Sequence, residues 1–180
     1  MPGVRTQPLD REAIKRAQEQ EDAEALERAA EDPAGSHPAA RQRIVALRLV
    51  SGRDRWNGRG VVDALEAEGM HFGKYSVFHR AQEDGKSIFY AASMIEPGSF
   101  DMQRVDSLSY PGVSLFAVVP GPVEAPIVFD LMLATGRRLA DRLQGQLQDE
   151  QGSSLTAQRV LNLREELVQL EHVTRRLRGA

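Results

Sequence analysis

The side chains of this 180-residue chain best suited to ligate a metal or move a proton near neutral pH are four histidines, His37, His71, His79 and His172. They show no metal-ligand spacing and fall in different expected elements. No cysteine is present, so a disulfide, a thiolate zinc site and a cysteine nucleophile are all excluded. Gly58–Arg59–Gly60 faintly resembles a dinucleotide loop, but Asp63 stands where the third glycine belongs. There is no G-x-S-x-G, Walker A or metalloprotease motif. Asp149–Glu150 read as like charges solvated in a turn, and Arg137–Arg138 and Arg175–Arg176 as polar helix faces. These residues supply no basis for an enzyme, and no cofactor or metal is expected.

The chemistry that remains is recognition by apolar and aromatic surface. All ten aromatic residues lie between Trp56 and Phe129, on segments that read mostly as strands. Residues on one face of a strand recur at every second position, so each strand divides into two sets. Ile44–Val50 gives Val45, Leu47 and Leu49 against Ile44, Ala46 and Arg48. A hairpin of Lys74–Arg80 and Ser87–Ile95 gives Phe78, Phe89, Ala91, Ser93 and Ile95 against Tyr75, Val77, Tyr90, Ala92 and Met94. Gly112–Pro120 gives Val113, Leu115, Ala117 and Val119 against Ser114, Phe116 and Val118. A sheet with one wetted face alternates apolar with polar, whereas both sets here are apolar. Three amphipathic helices can cover one face. The expectation is an exposed apolar patch on the other, holding Ile44, Tyr75, Val77, Met94 and Phe116, and such patches mark binding sites.

The helices that must cover the first face are legible from period and caps. Asn57 opens a short helix carrying Val61, Val62 and Leu65, stopped by Gly69. Pro126 suits the first turn of a second, running to about Leu143, with Val128, Leu131, Met132, Thr135, Leu139 and Leu143 as its stripe. A short strand pair, Gln146–Asp149 and Ser153–Thr156, leads to a third helix striped by Val160, Leu163, Leu167, Leu170, Val173 and Leu177. The element order is β-α-β-β-β-α-β-β-α. That order is α+β: a mainly antiparallel sheet of about six strands (split β-α-β type), three helices on one face and an open apolar face.

Composition bounds the partners. Residues 1–40 carry five cations and nine anions and no aromatic residue, so they are net −4 and leave the remainder at +1 in a chain of −3. They read as an acidic linker, with helix-forming chemistry at 10–31 but only Ile14 and Leu26 as large apolar residues, and a Pro/Gly break at 32–38. The domain is placed at 41–180. The near-neutral domain argues against a phosphate-backbone binder. The competing function is a sheet-platform domain for single-stranded RNA, stacking bases on Tyr75, Tyr90 and Phe116. No stretch reaches the length of a membrane span.

Several strings together resemble a known family. FGKYSVFHR (Phe72 to Arg80), SMIEPGSFD (Ser93 to Asp101), PGVSLFAVVPG (Pro111 to Gly121) and FDLMLATGRRLADRLQGQLQDEQGSSLT (Phe129 to Thr156) are similar to the C-terminal FtsZ-binding domain of the ZipA family of bacterial cell-division proteins. The resemblance runs from about Arg43 to Arg175. It implies a shallow groove on the open sheet face that takes the C-terminal tail peptide of FtsZ. Carried over position by position, the groove is lined by Ile44, Ala46, Tyr75 and Val77, and by Ala92, Met94, Ser114 and Phe116. The resemblance further implies a monomeric domain that links the FtsZ ring to the inner membrane, on its cytoplasmic face at the division site. Three departures stand out. Tyr75 replaces a common methionine, Glu96 stands where a basic residue is frequent, and the membrane-spanning helix that opens the family does not appear, residues 1–40 matching the end of its linker.

Overall fold

The computed structural model describes residues 42–179. The acidic segment 1–40, including its helix-forming stretch 10–31 and the break at 32–38, lies outside the described residues. The fold begins with β1, Arg43–Val50, whose burial alternates as its side chains do: Val45, Leu47 and Leu49 are buried, Ile44, Ala46 and Arg48 half-buried. β2 is Trp56–Asn57, and α1 is Gly58–Ala67. The Asn57 side chain caps α1 by accepting from the N–H of Arg59 at 3.0 Å and of Gly60 at 3.3 Å. Gly69, at φ +78°, turns the chain away. There follow β3 (His71–Phe72), a 3-10 turn at Lys74–Ser76, β4 (Phe78–Ala81), β5 (Ser87–Ser93), β6 (Ser109–Tyr110) and β7 (Gly112–Val119). α2 (Ala125–Leu143), β8 (Gln146–Gln148) and α3 (Ala157–Arg178) complete the chain.

Six strands form one sheet in the order β3-β4-β5-β7-β1-β8, every pairing antiparallel, and β2 and β6 make a separate two-stranded ribbon. The fold is α+β, as expected. One face of the sheet meets the helices. Val45, Leu47, Leu49, Phe78, Phe89 and Leu115 share a single core with Val61, Val62 and Leu65 of α1, Val128, Phe129, Met132 and Leu139 of α2, and Leu163 and Leu167 of α3. Most of these side chains are completely buried, each contributing about 1.5–3 kcal/mol of transfer free energy. α2 packs tightly on the sheet at Gly136, where a Cβ would stand 3.0 Å from the Leu147 side chain.

Polar links fix the helices on that face. Glu68, at the end of α1, is buried; its carboxylate accepts from Arg138 Nε at 2.6 Å and its main-chain oxygen from Arg80 at 2.7 Å. One residue thus joins α1, α2 and β4, and a carboxylate so buried requires such partners. α2 and α3 are joined by Asp130–Arg164 at 3.1 Å and by Glu171, which accepts from the Ala125 N–H at 3.0 Å.

Four expectations need correction. The strand placed at Lys74–Arg80 is a left-handed turn followed by the four residues of β4. The strand placed at Ser87–Ile95 ends at Ser93, whose hydroxyl accepts from the Ile95 N–H at 2.9 Å and bends the chain. At Ser153–Thr156 there is one bridge, Gln148 to Ser154, rather than a strand, because Asp149 Oδ1 gathers the N–H groups of Gln151 and Ser153 into a turn. Finally, Leu131, Val173 and Leu177 are exposed. The inward face of α2 is centred on Phe129 and Met132, and that of α3 passes through Thr174, which is buried.

Candidate functional site

The face of the sheet turned away from the helices carries its own apolar cluster. Val77, Tyr90, Ala92 and Phe116 form it, with Ile44 and Ala46 packed against them, and no helical residue joins among the described residues. Register explains the grouping. Phe116 lies opposite Tyr90 on one side and Ala46 on the other; Ser114 lies opposite Ala92 and Arg48. Directly opposed residues share a face, so one row crosses β5, β7 and β1. The Tyr90 and Phe116 rings are stacked, centroids 5.1 Å apart and planes 19° from parallel.

This face is less open than alternation alone suggests. Phe116 retains 5% of its surface, Val77 8% and Ala92 1%, and Ser114 is also buried. The stacked Tyr90 and Phe116 rings shelter one another, which alternation by itself does not register. Ile44, Ala46 and Met94 are half-buried and Tyr75 is 39% exposed, so the accessible part of the expected lining is these four. Met94 lies one residue beyond β5, and its N–H donates to the Gly112 oxygen at 3.1 Å. A Cβ at Gly112 would stand 2.5 Å from the Met94 sulfur, so the missing side chain makes room for the thioether at the end of the face.

Tyr75 stands on a turn and not on the strand expected for it. Tyr75 and Ser76 both adopt left-handed backbone, at φ 62° and 56°, a conformation that costs side-chain-bearing residues of order 1 kcal/mol each. His79 helps hold this turn. The Lys74 carbonyl can only accept, so His79 Nε2 donates to it at 2.8 Å; in the neutral ring Nδ1 then accepts from the Ser87 hydroxyl at 3.0 Å. The same imidazole packs edge-on against Tyr90 at 5.0 Å, joining the turn to the cluster. The Lys74 ammonium stands 5.1 Å from the Tyr75 ring, a cation–π contact that orients an otherwise exposed aromatic side chain.

Tyr90 is the member absent from the expected lining, although alternation places it on this face beside Ala92. What the assembled surface can do is bury apolar side chains of a ligand. Among the described residues no cluster of His, Asp or Glu could hold a metal ion, and no helix is long and apolar enough to cross a membrane.

Comparison with known proteins follows the same residues. Residues 43–166 match the family model described as "ZipA, C-terminal FtsZ-binding domain". The chain is 33% identical over 137 residues to the "Cell division protein ZipA" of Pseudomonas fluorescens (strain SBW25), covering 74% of this chain and 48% of that protein. Identity is also 33% over 135 residues to that of Stutzerimonas stutzeri (strain A1501), covering 72% and 49%, and over 141 residues to that of Pseudomonas aeruginosa (strain LESB58), covering 76% and 48%. The chain spans about half the length of the curated relatives it matches. The matched region runs from the first residue of β1 into the middle of α3, and so takes in every strand of the sheet. On both counts, the family match and the identity, the chain belongs to the ZipA family through its C-terminal FtsZ-binding domain.

Proposed function

We propose that this domain is a non-enzymatic cell-division adaptor that captures the C-terminal tail peptide of FtsZ on the sheet face opposite the helices. The observation that carries this reading is the second apolar cluster, Val77–Tyr90–Ala92–Phe116, built by strands and separate from the core. The peptide lies across Ile44, Ala46 and Met94 with Tyr75 at one end, its apolar side chains leaving water against them. Ala92, Ser114, Val77 and Phe116 form the floor beneath. Within the full-length protein this contact links the FtsZ ring to the cytoplasmic face of the inner membrane at the division site.

A short peptide buries less than a standard protein interface and loses conformational freedom on binding, so an affinity near micromolar, about −8 kcal/mol, is expected. Many FtsZ subunits meeting several adaptors make such contacts effective together. The test is titration calorimetry of the domain with the FtsZ tail peptide, comparing wild type with Tyr75→Ala. The substitution weakens binding by about 1 kcal/mol or more, since an exposed aromatic residue at a site's edge acts through the ligand. Equal affinities would remove Tyr75 from the site, and no measurable heat with either protein would remove the function.

A further inference from the structure

α3 runs on past its packing partners, and two apolar side chains of its last turns, Val173 and Leu177, are each more than half exposed. Their flank of the helix is fixed by period. Residues seven apart lie nearly above one another, so Arg159, Glu166 and Val173 share one line, with Leu177 a turn further on. That line faces β1. Glu166 accepts from Arg43 at 2.7 Å, and Arg159 pairs at 3.5 Å with Asp149, the residue after the Gln148 that lies opposite Arg48. Direction follows from the same contacts. β1 followed backwards from Leu47 to Arg43 passes α3 followed forwards from Arg159 to Glu166, runs of about 13 and 10 Å. The two elements are antiparallel, so the chain just upstream of Arg43 heads along this flank toward Val173 and Leu177.

Charge marks the same end. Arg159, Arg164 and Arg175 of α3 each pair with a carboxylate, on Asp149, Asp130 and Glu124. Arg176 and Arg178, on either side of Leu177, have no such partner among the described residues. Upstream of β1, residues 19–32 carry seven anions against the single cation Arg28, and their apolar residues are Leu26 and four alanines. The ten residues from Asp32 to Gln42 span up to about 33 Å, whereas Leu177 stands only about 17 Å beyond Glu166 along the helix. The acidic stretch therefore reaches the unpaired arginines with chain to spare.

We propose that residues 19–32 seat on the exposed end of α3, their carboxylates against Arg176 and Arg178 and Leu26 against Val173 and Leu177. The contact goes beyond peptide capture and does not depend on it. It holds the acidic segment on the helical layer, so that the sheet face on the opposite side stays clear of the chain's own anions. A tether of this length keeps the segment at millimolar effective concentration, so a contact of only millimolar strength is filled about half the time. Between exposed charges such a contact weakens as salt rises.

The chain has no cysteine, so a nitroxide attached to Ala23→Cys places one spin label in the full chain and tests this directly. At low salt the label broadens the amide signals of residues 172–178. The double variant Arg176→Glu with Arg178→Glu, or about 0.5 M salt, reduces that broadening severalfold and leaves the signals next to Arg43 as they were. Leu177→Ser, at an exposed position, reduces it as well. Broadening spread evenly around Arg43, or unchanged by the double charge reversal, overturns the proposal. Two other occupants are distinguished in the same samples. Broadening that arises only when labelled chain is mixed with isotope-enriched, unlabelled chain would give the face to a second copy. Signals of residues 172–178 that are untouched by the label and move only on adding phosphatidylglycerol vesicles would give it to a membrane surface. Either result would also overturn the proposal.

Discussion

Phe116 and Tyr90 pack on each other as well as forming the floor of the face, so their substitutions report stability and binding together. Phe116→Ala removes a ring with 5% exposure and lowers unfolding free energy by about 3 kcal/mol in urea titration, whatever it does to a ligand. Tyr75, 39% exposed, separates the two quantities: its alanine variant keeps the wild-type urea midpoint and loses affinity. A third aromatic residue makes a pH prediction. The Tyr110 hydroxyl is buried without a hydrogen-bond partner among the described residues, and burial pushes the phenol above its ordinary 10.0, against a weaker opposing effect of the Asp101 main chain. The folded state thus holds this proton where the unfolded chain releases it. The associated stability is fully present below pH 10 and falls as pH rises through the folded value. Tyr110→Phe, which deletes an unsatisfied polar atom, changes stability at pH 7 by less than about 1 kcal/mol and flattens the alkaline fall, as unfolding free energies measured across that range will show.

Among the elements, the strands at the centre of the sheet and the two ends of α1 are legible in the sequence, and the short or strained pieces are not. Ile44–Val50 and Gly112–Val119 declare themselves by continuous apolar runs, and α1 is bracketed by the capping side chain of Asn57 and by Gly69, which without a side chain takes up positive φ. The turn at Lys74–Ser76 carries no signal, because neither Tyr75 nor Ser76 favours left-handed backbone; His79 and the surrounding hydrogen bonds impose it. The ribbon of β2 with β6 joins residues about fifty apart in sequence through two residue pairs, too few for any periodicity to show. On α3 the heptad-like spacing extends the apolar stripe past its packing partners. Val173 and Leu177 are more than half exposed, so Leu177→Lys changes the thermal midpoint negligibly, within about 0.5 kcal/mol of stability. Leu115→Ala, at the junction of β7 with the helices and fully buried, costs about 2–5 kcal/mol on the same scale.

At the scale of the whole molecule, a sheet sandwiched between a helical layer and its own second cluster has more apolar strand surface than its three helices enclose. That surplus is legible in the sequence from Val77, Ala92 and Phe116, which the structure gathers into one cluster. Its degree of shelter is not, because mutual burial of Tyr90 and Phe116 depends on register between strands far apart in the chain. The proposed function therefore turns on which side of the sheet receives the tail peptide. A titration of the domain with the FtsZ tail peptide, followed by the amide shifts of every residue, addresses this most directly. The predicted result is progressive shifts at Ile44 and Ala46, through Tyr90–Met94 and at Ser114–Phe116, with the outward amides of α1, α2 and α3 unmoved. Shifts confined to the helices, or none at saturating peptide, would contradict it.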